Sequence, residues 1–177
     1  MSMSMNIRCA KIADFEEVVS FYKYAIENTK DMETYARWVY GQHPTDEMIK
    51  GYIEQDAMYI LEDDKTIVAA MSVTMSQGED YHSIDWSLEL KDDEVAVVHI
   101  LCVNPDYQKQ GIGKRMIEES ICLAEREGKK TIRLDALASN TPAHRMYKSM
   151  GFQLRGKQNL YAENTGWTDF LFFEYSK

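Results

Sequence analysis

One mixed α/β domain, with a central sheet of about seven strands, is the fold that this sequence predicts, and three observations carry the reading. β-rich and helical stretches succeed one another in the order β-α-α-β-β-β-α-β-α-β-β. Two of the β-rich runs are joined by Asp63-Asp64-Lys65, a hairpin connection that makes the N-terminal part of the sheet antiparallel. Further on, a strand-helix-strand succession implies a crossover and therefore one parallel pair. With 177 residues, 45% of them hydrophobic, residues 1–177 fit one domain with a continuous core and leave no room for a second catalytic domain.

Residues 5–9 read as the first strand. The next helix carries Phe15, Val18, Val19, Tyr22 and Ile26 at helical spacing, and Asp14 with Glu17 three residues on predicts a capping box at its start. Residues 30–55 lean helical, show the aromatics Tyr35, Trp38, Tyr40 and Tyr52, and are divided by Gly41 and Pro44. Residues 57–62 and 66–76 form the hairpin. A polar stretch, 77–93, separates them from 94–103, the most strand-like run of the chain. Residues 111–127 follow as a helix with Ile112, Met116, Ile117, Ile121 and Ala124 on its buried face and Gly128 past its end. A strand covers 131–136. A short helix then begins at Asn140 or Thr141, with Pro142 in its first turn where a missing N–H costs nothing. Its apolar face is Ala143, Met146, Tyr147 and Met150, and Gly151 ends it. Residues 152–155 and 169–175 complete the sheet, so that about four helices flank it.

Acidic residues number 29 against 20 basic ones, a net charge of −9, and no Lys/Arg block exceeds two residues. Nucleic acid is therefore excluded as the main partner, and a polyanion would have to be held by local cations and backbone N–H groups. A cationic acceptor would be drawn in. Cys9, Cys102 and Cys122 have neither zinc nor redox spacing, and their odd number argues against a disulfide framework, so reduced thiols and a cytoplasmic location are expected. The opening Met-Ser-Met-Ser-Met lacks the character of a signal peptide, and no run of 18 apolar residues predicts a membrane span. No metal-ligand spacing links His43, His82 and His144, which read as surface or loop residues.

The segment from Leu101, Cys102 and Val103 through Gln108, Lys109, Gln110, Gly111, Ile112, Gly113 and Lys114 runs from strand through polar turn into a helix start. That geometry aims backbone N–H groups and the positive helix end at one spot, which suits a pyrophosphate. Thirty residues on, Asn140, Ala143 and Tyr147 share one helix face. Together the two segments resemble the acyl-CoA signatures of the GNAT superfamily of N-acetyltransferases: the loop Gln108, Gly111 and Gly113, and the helix Asn140, Ala143, Tyr147 and Gly151-Phe152. The element order resembles that family from end to end. The resemblance implies the GNAT fold, with the parallel pair opening the acyl-CoA cleft, and acetyl-CoA as donor to an amine acceptor. It implies that Leu101 and Val103 pair with the pantetheine arm and that the Leu101 N–H stabilises the oxyanion. Residues 109–114 hold the pyrophosphate in the same scheme, Asn140 binds the cofactor arm, and Tyr147 protonates the departing thiolate. A homodimer is compatible with it.

Acyl transfer to an amine passes through a tetrahedral oxyanion, for which one well-placed N–H is worth about 3 kcal/mol. A lysine-like amine, with pKa near ~10.4, is about three units too protonated at pH 7, so the general base matters most for such acceptors. Glutamate often fills that role on the strand before the loop, but this sequence has Val95, Val97 and His99 there. Period-two alternation puts His99 on the face of Leu101 and nominates it as base, with Glu94 and Asp85 in reserve. By the same alternation Cys102 points away from His99 and lacks an activating partner. Tyr35, Trp38, Tyr40 and Trp167 are candidates for the acceptor pocket. Two other classes stay in view. A dinucleotide-binding oxidoreductase would use Gly111-x-Gly113 with Asp135, but Met116 stands where the third glycine belongs. A GNAT-fold protein that binds acyl-CoA without transferring the acyl group would have no use for the Tyr147 phenol.

Overall fold

The computed structural model describes residues 5–176; the first four residues, on which the signal-peptide expectation bears, and Lys177 lie outside them. Strands β1 (Met5–Cys9), β2 (Met58–Asp63), β3 (Thr66–Thr74), β4 (Val95–Val103), β5 (Thr131–Leu137), β6 (Phe152–Ala162) and β7 (Gly166–Tyr175) form one sheet in the order β1-β2-β3-β4-β5-β7-β6. Among the described residues only the β4–β5 pair is parallel. Helices α1 (Phe15–Asn28) and α2 (Asp46–Glu54) cover one face, and α3 (Ile112–Arg126) and α4 (Thr141–Ser149) the other. The mixed sheet of seven strands and the four helices are those the sequence predicts.

The α3 face is a clean case of pattern becoming packing. Ile112, Met116 and Ile117 are buried against Val68, Met71, Ala96 and Val98 of the sheet, each such side chain contributing roughly 1.5–3 kcal/mol. Gly111, in the left-handed region at φ +72°, starts the helix, and Gly128, also at φ +72°, follows its end.

Four expectations change. The Asp14 side chain does not cap α1; it accepts the Lys11 N–H at 2.7 Å and pairs with Arg8 at 2.8 Å, because a cation lies within reach on β1. Residues 30–44 are irregular rather than helical: Asp31 and Arg37 adopt left-handed backbone, and Trp38 and Tyr40 pack against the α1–α2 core instead of forming a helical stripe. The polar stretch 77–93 covers half a sheet face, with Tyr81, Ile84 and Trp86 packed on Val95, Val97 and Phe172. The final hairpin is much longer than predicted, because β6 is an edge strand whose polar residues face solvent. It bends at Gly156, where a Cβ would approach Ile84 Cδ1 to 3.1 Å.

The departure that matters most for function lies in β4. Val95 and Val97 face the Tyr81 segment, and the His99 ring stacks on Tyr52 of α2 on that same face, 5.5 Å away. Ile100 then takes φ +46° and the pairing with β3 shifts register between Ala70 and Ser72, a β-bulge. Beyond it the phase reverses. Ile100 and Cys102 join the α1–α2 core, while Leu101 and Val103 pack with the α3 side. His99 and Leu101 are therefore on opposite faces and Cys102 is on the His99 face, the reverse of both predictions from alternation. A β-branched residue at positive φ is strained by about 1–3 kcal/mol. The buried Tyr22 phenol of α1 holds it there by donating to the Ile100 carbonyl at 2.7 Å.

Candidate active site

β5 runs beside β4 only from Val95 to Val98; past that point the two parallel strands part, and the β5 side of residues 99–103 has no strand next to it. A cleft of about 550 Å³ opens between them. All the residues expected to bind the donor, except Gln110, line it, as does His99. Leu101, Cys102 and Val103 form one wall, Gln108, Lys109, Gly111, Ile112, Gly113 and Lys114 one end, and Asn140, Ala143 and Tyr147 the other wall, with His99 deeper in.

At the α3 end, Lys109 and Gly111 both have left-handed backbone, at φ +65° and +72°, which turns the loop sharply into the helix N-terminus. A Cβ on Gly113 would come within 2.8 Å of Met146 Sδ, so this glycine lets α3 and α4 close on the cleft. The Lys109 and Lys114 side chains supply cations beside that N-terminus. Asn140 sits at the N-cap of α4 but makes no side-chain cap, leaving its amide to the cleft.

Tyr147 is held by ring contacts to Phe152 and Phe173, and among the described residues its hydroxyl has no hydrogen-bond partner. Burial, with the Asp135 carboxylate adding to it, pushes the phenol far above its usual range and keeps it protonated. Asp135, at the C-terminal end of β5, lines the same cleft. Burial raises its carboxyl above the ordinary value, opposed by the Tyr81 phenol, which donates to Asp135 Oδ2 at 2.5 Å. The sequence offered Asp135 only as part of the dinucleotide fingerprint. Its position at the end of a parallel strand, where ligands gather in such sheets, was the signal that could have found it.

His99 is a poor base here. Burial, and to a lesser degree His43, pushes it down to about 4, and its Nε2 is engaged with Thr74 Oγ1 at 3.0 Å. Its folded pKa lies below the 6.5 of the free group, so its contribution to stability is complete above pH 6.5 and lost as the pH falls towards about 4. Between pH 7 and 4.5 the wild type is expected to lose about 1–2 kcal/mol more than His99→Gln, the ring's access to the cleft trimming the effect; urea titrations measure it. Cys102 is pushed up to about 12 by burial and so is no nucleophile. Of the reserve bases, Glu94 pairs with Lys130 at 2.6 Å outside the cleft, and Asp85 does not line it.

The far end of the cleft is roofed by residues 29–44. Ser139 Oγ donates to the Tyr35 carbonyl and Asn164 Nδ2 to the Arg37 carbonyl, both at 2.9 Å, which ties this roof to the β5–α4 turn and the β6–β7 turn. Trp38 and His43 line the space, as does Tyr52, which the sequence reading had not placed there. Tyr40 instead donates to Asp46, and Trp167 is 71% exposed against Tyr161. Neither they nor Tyr35 line it. His144 is buried, its ring nitrogen 2.9 Å from the Leu137 carbonyl, while His82 is exposed and pairs with Asp92. Among the described residues no helix is long and apolar enough to cross a membrane, and the three cysteines are free.

Known proteins share this architecture and parts of this sequence. A [ribosomal protein bS18]-alanine N-acetyltransferase of Escherichia coli K12 is 37% identical over 78 residues, 44% of this chain; the match spans about half (52%) of that relative's length. Two solved structures superpose over nearly the whole chain: the loading GNATL domain of CurA from Lyngbya majuscula and yncA, a putative acetyltransferase from Salmonella typhimurium with its cofactor acetyl-CoA. The first has a TM-score of 0.76 at 16% identity, covering 97% of both chains. The second has a TM-score of 0.68 at 18% identity, covering 98% of this chain and 94% of the other. At such identities they establish the fold. The family model for the acetyltransferase (GNAT) family matches residues 16–152, and with the strand split, the glycine loop and the Asn140–Tyr147 helix all in place around one cleft, the chain belongs to that family.

Proposed function

We propose that this single-domain chain transfers an acetyl group from acetyl-CoA to a primary amine of a peptide N-terminus or a small molecule, by direct attack through a tetrahedral intermediate. The observation that carries the reading is the pairing of the protonated Tyr147 phenol and the Asp135 carboxylate in one cleft, beside a strand edge free to receive the pantetheine arm. The α3 N-terminus with Gly111, Gly113 and Lys114 fits the pyrophosphate of CoA. The acceptor ammonium gives a proton to Asp135, and the freed amine attacks the thioester carbonyl carbon. The oxyanion takes a hydrogen bond from the Leu101 N–H; as it collapses the C–S bond breaks, Tyr147 protonates the leaving sulfur, and the surplus proton of the attacking nitrogen restores the phenol, while Asp135 releases its own proton to water. Asp135 thus replaces His99 as the base. The E. coli relative is named as an N-acetyltransferase of an alanine in ribosomal protein bS18, which supports an α-amine acceptor. Such an amine, near pKa ~8, needs only modest help from a carboxylate. The −9 charge favours a cationic acceptor in the cytoplasm.

Acetyl-CoA is expected to raise the melting temperature while NAD does not; equal shifts would remove this reading. A CoA-release screen over peptide N-termini, polyamines, aminoglycosides and amino acids identifies the acceptor. With the best one, Asp135→Asn is expected to lower kcat/KM at least about tenfold at neutral pH. The acyl-CoA-binding protein without activity is the second reading, and a screen with no turnover beside a clear acetyl-CoA shift would favour it.

A further inference from the structure

Between the hairpin β2–β3 and β4 lies a segment, residues 77–91, that sequence pattern passes over as polar linker, and it is held to the sheet by a dense polar anchor. Arg133, buried on β5, stacks under the Trp86 ring at 4.1 Å, pairs with Glu174 at 2.8 Å, and donates to the Leu88 carbonyl and Gln77 Oε1, both at 2.7 Å. Trp86 in turn donates from Nε1 to the Tyr81 carbonyl at 2.7 Å, and its ring lies parallel to the Tyr81 ring at 5.7 Å. Phe172 closes the other side of Tyr81, edge-on at 5.0 Å. The Tyr81 ring is therefore held between two aromatic neighbours, and its hydroxyl ends on Asp135 Oδ2. It does not itself line the cleft.

We propose that Tyr81 is a positioning residue for acetyl transfer: its phenol fixes one oxygen of the Asp135 carboxylate so that the other faces the acceptor amine. The inference rests on Asp135 being the base of the reaction proposed above. A carboxylate on a short side chain has a free torsion, and an unanchored one spends part of its time turned from the substrate. One strong donor from a ring that cannot move removes that freedom. It also sets the basicity of the remaining oxygen, because a bond donated to the charged form favours that form.

The groups around Asp135 act in both directions. Asp80, on the same segment, raises its carboxyl along with burial, and only the Tyr81 hydroxyl lowers it. The Tyr147 phenol from α4 and the Tyr52 phenol from α2 both sense its charge and stay protonated in the neutral range, so neither titrates against it. His99 of β4 stays neutral in that range, and Arg133, two residues away on β5, is neutralised by Glu174.

The test is Tyr81→Phe, which keeps the stacked ring and deletes the hydroxyl. The acid limb of the kcat/KM profile for the acceptor is expected to move upward by about half to one pH unit, with kcat reduced and the melting shift on acetyl-CoA unchanged. A merely structural residue would lower the amplitude without moving the limb, and that outcome would overturn the inference. Carboxyl 13C NMR titration, with Asp135→Asn assigning the resonance, measures the same shift without catalysis. An unmoved Asp135 titration in a folded Tyr81→Phe protein would also overturn it. The two levels fail separately. Full turnover by Asp135→Asn removes the base itself, whereas an impaired Asp135→Asn beside an unmoved Tyr81→Phe limb removes only the role of Tyr81.

Discussion

Tyr147→Phe is expected to lower kcat for acetyl transfer by about 10²–10³-fold while leaving acetyl-CoA affinity within about twofold. The ring contacts to Phe152 and Phe173 survive the change, so the cleft wall stays in place and the loss is that of one hydroxyl. That hydroxyl has no partner among the described residues, so its removal orphans no protein donor or acceptor. Burial keeps the phenol protonated well past neutral pH, and a proton is therefore always at hand when the C–S bond breaks. A thiolate formed in the same low-dielectric space is raised too, which narrows the mismatch between donor and acceptor. Isothermal titration with acetyl-CoA and steady-state CoA release separate binding from chemistry. Unchanged turnover would take the acid role from Tyr147.

The two halves of the proposed chemistry also help one another. The Asp135 charge is the second cause, after burial, that raises the Tyr147 phenol. Once Asp135 has accepted the proton of the acceptor ammonium, that charge is gone and the phenol becomes a stronger acid. Proton uptake at one wall of the cleft thus readies proton release at the other, at the stage when the leaving group needs it.

The parts of this site that were legible in the sequence are those whose causes are local. Gly111 and Gly113 stand out because they open a helix directly after a strand and a polar turn, and at Gly111 that turn takes φ +72°. Asn140, Ala143 and Tyr147 share a face by helical spacing, and the resemblance to the family is what gives that face its expected roles. The face assignment of His99 failed because nothing local marks the bulge: no glycine stands there, and Ile100 is held at φ +46° by Tyr22, 78 positions away. Alternation counts residues, and a bulge adds one. The 77–91 segment was unreadable for a similar reason. Its anchor is Arg133, which by pattern is a charged residue in a strand and whose partners come from Gln77, Leu88 and Glu174. Asp135 was marked in the sequence by its place near the end of a parallel strand, and the parting of β4 and β5 brings it into the cleft.

Glu174→Ala is expected to destabilise the protein by about 3–5 kcal/mol, a fall of roughly 8–15 °C in melting temperature, because it strands a buried guanidinium. Both members of the Arg133–Glu174 pair are almost inaccessible, at 1% and 2%, and their charges are fully hydrogen-bonded. Glu174 also accepts from the Ser87 N–H at 3.2 Å and from the Ser87 hydroxyl, so the substitution removes a direct tether of the segment 77–91 at the same time. Burial alone pulls the Arg133 pKa down, and the carboxylate opposes that pull; without it the charge has only a carbonyl, an amide and the Trp86 ring to lean on. Arg126→Ala, which breaks an ion pair with Glu119 on the outer surface of α3, serves as control and should leave the melting temperature nearly unchanged. Calorimetry on the two variants measures the contrast. Equal small shifts would mean that the segment is not anchored through this pair. A large shift for Glu174→Ala, accompanied by loss of activity below its melting transition, would follow from the chain of contacts from Glu174 through Arg133 and Trp86 to Tyr81 and Asp135.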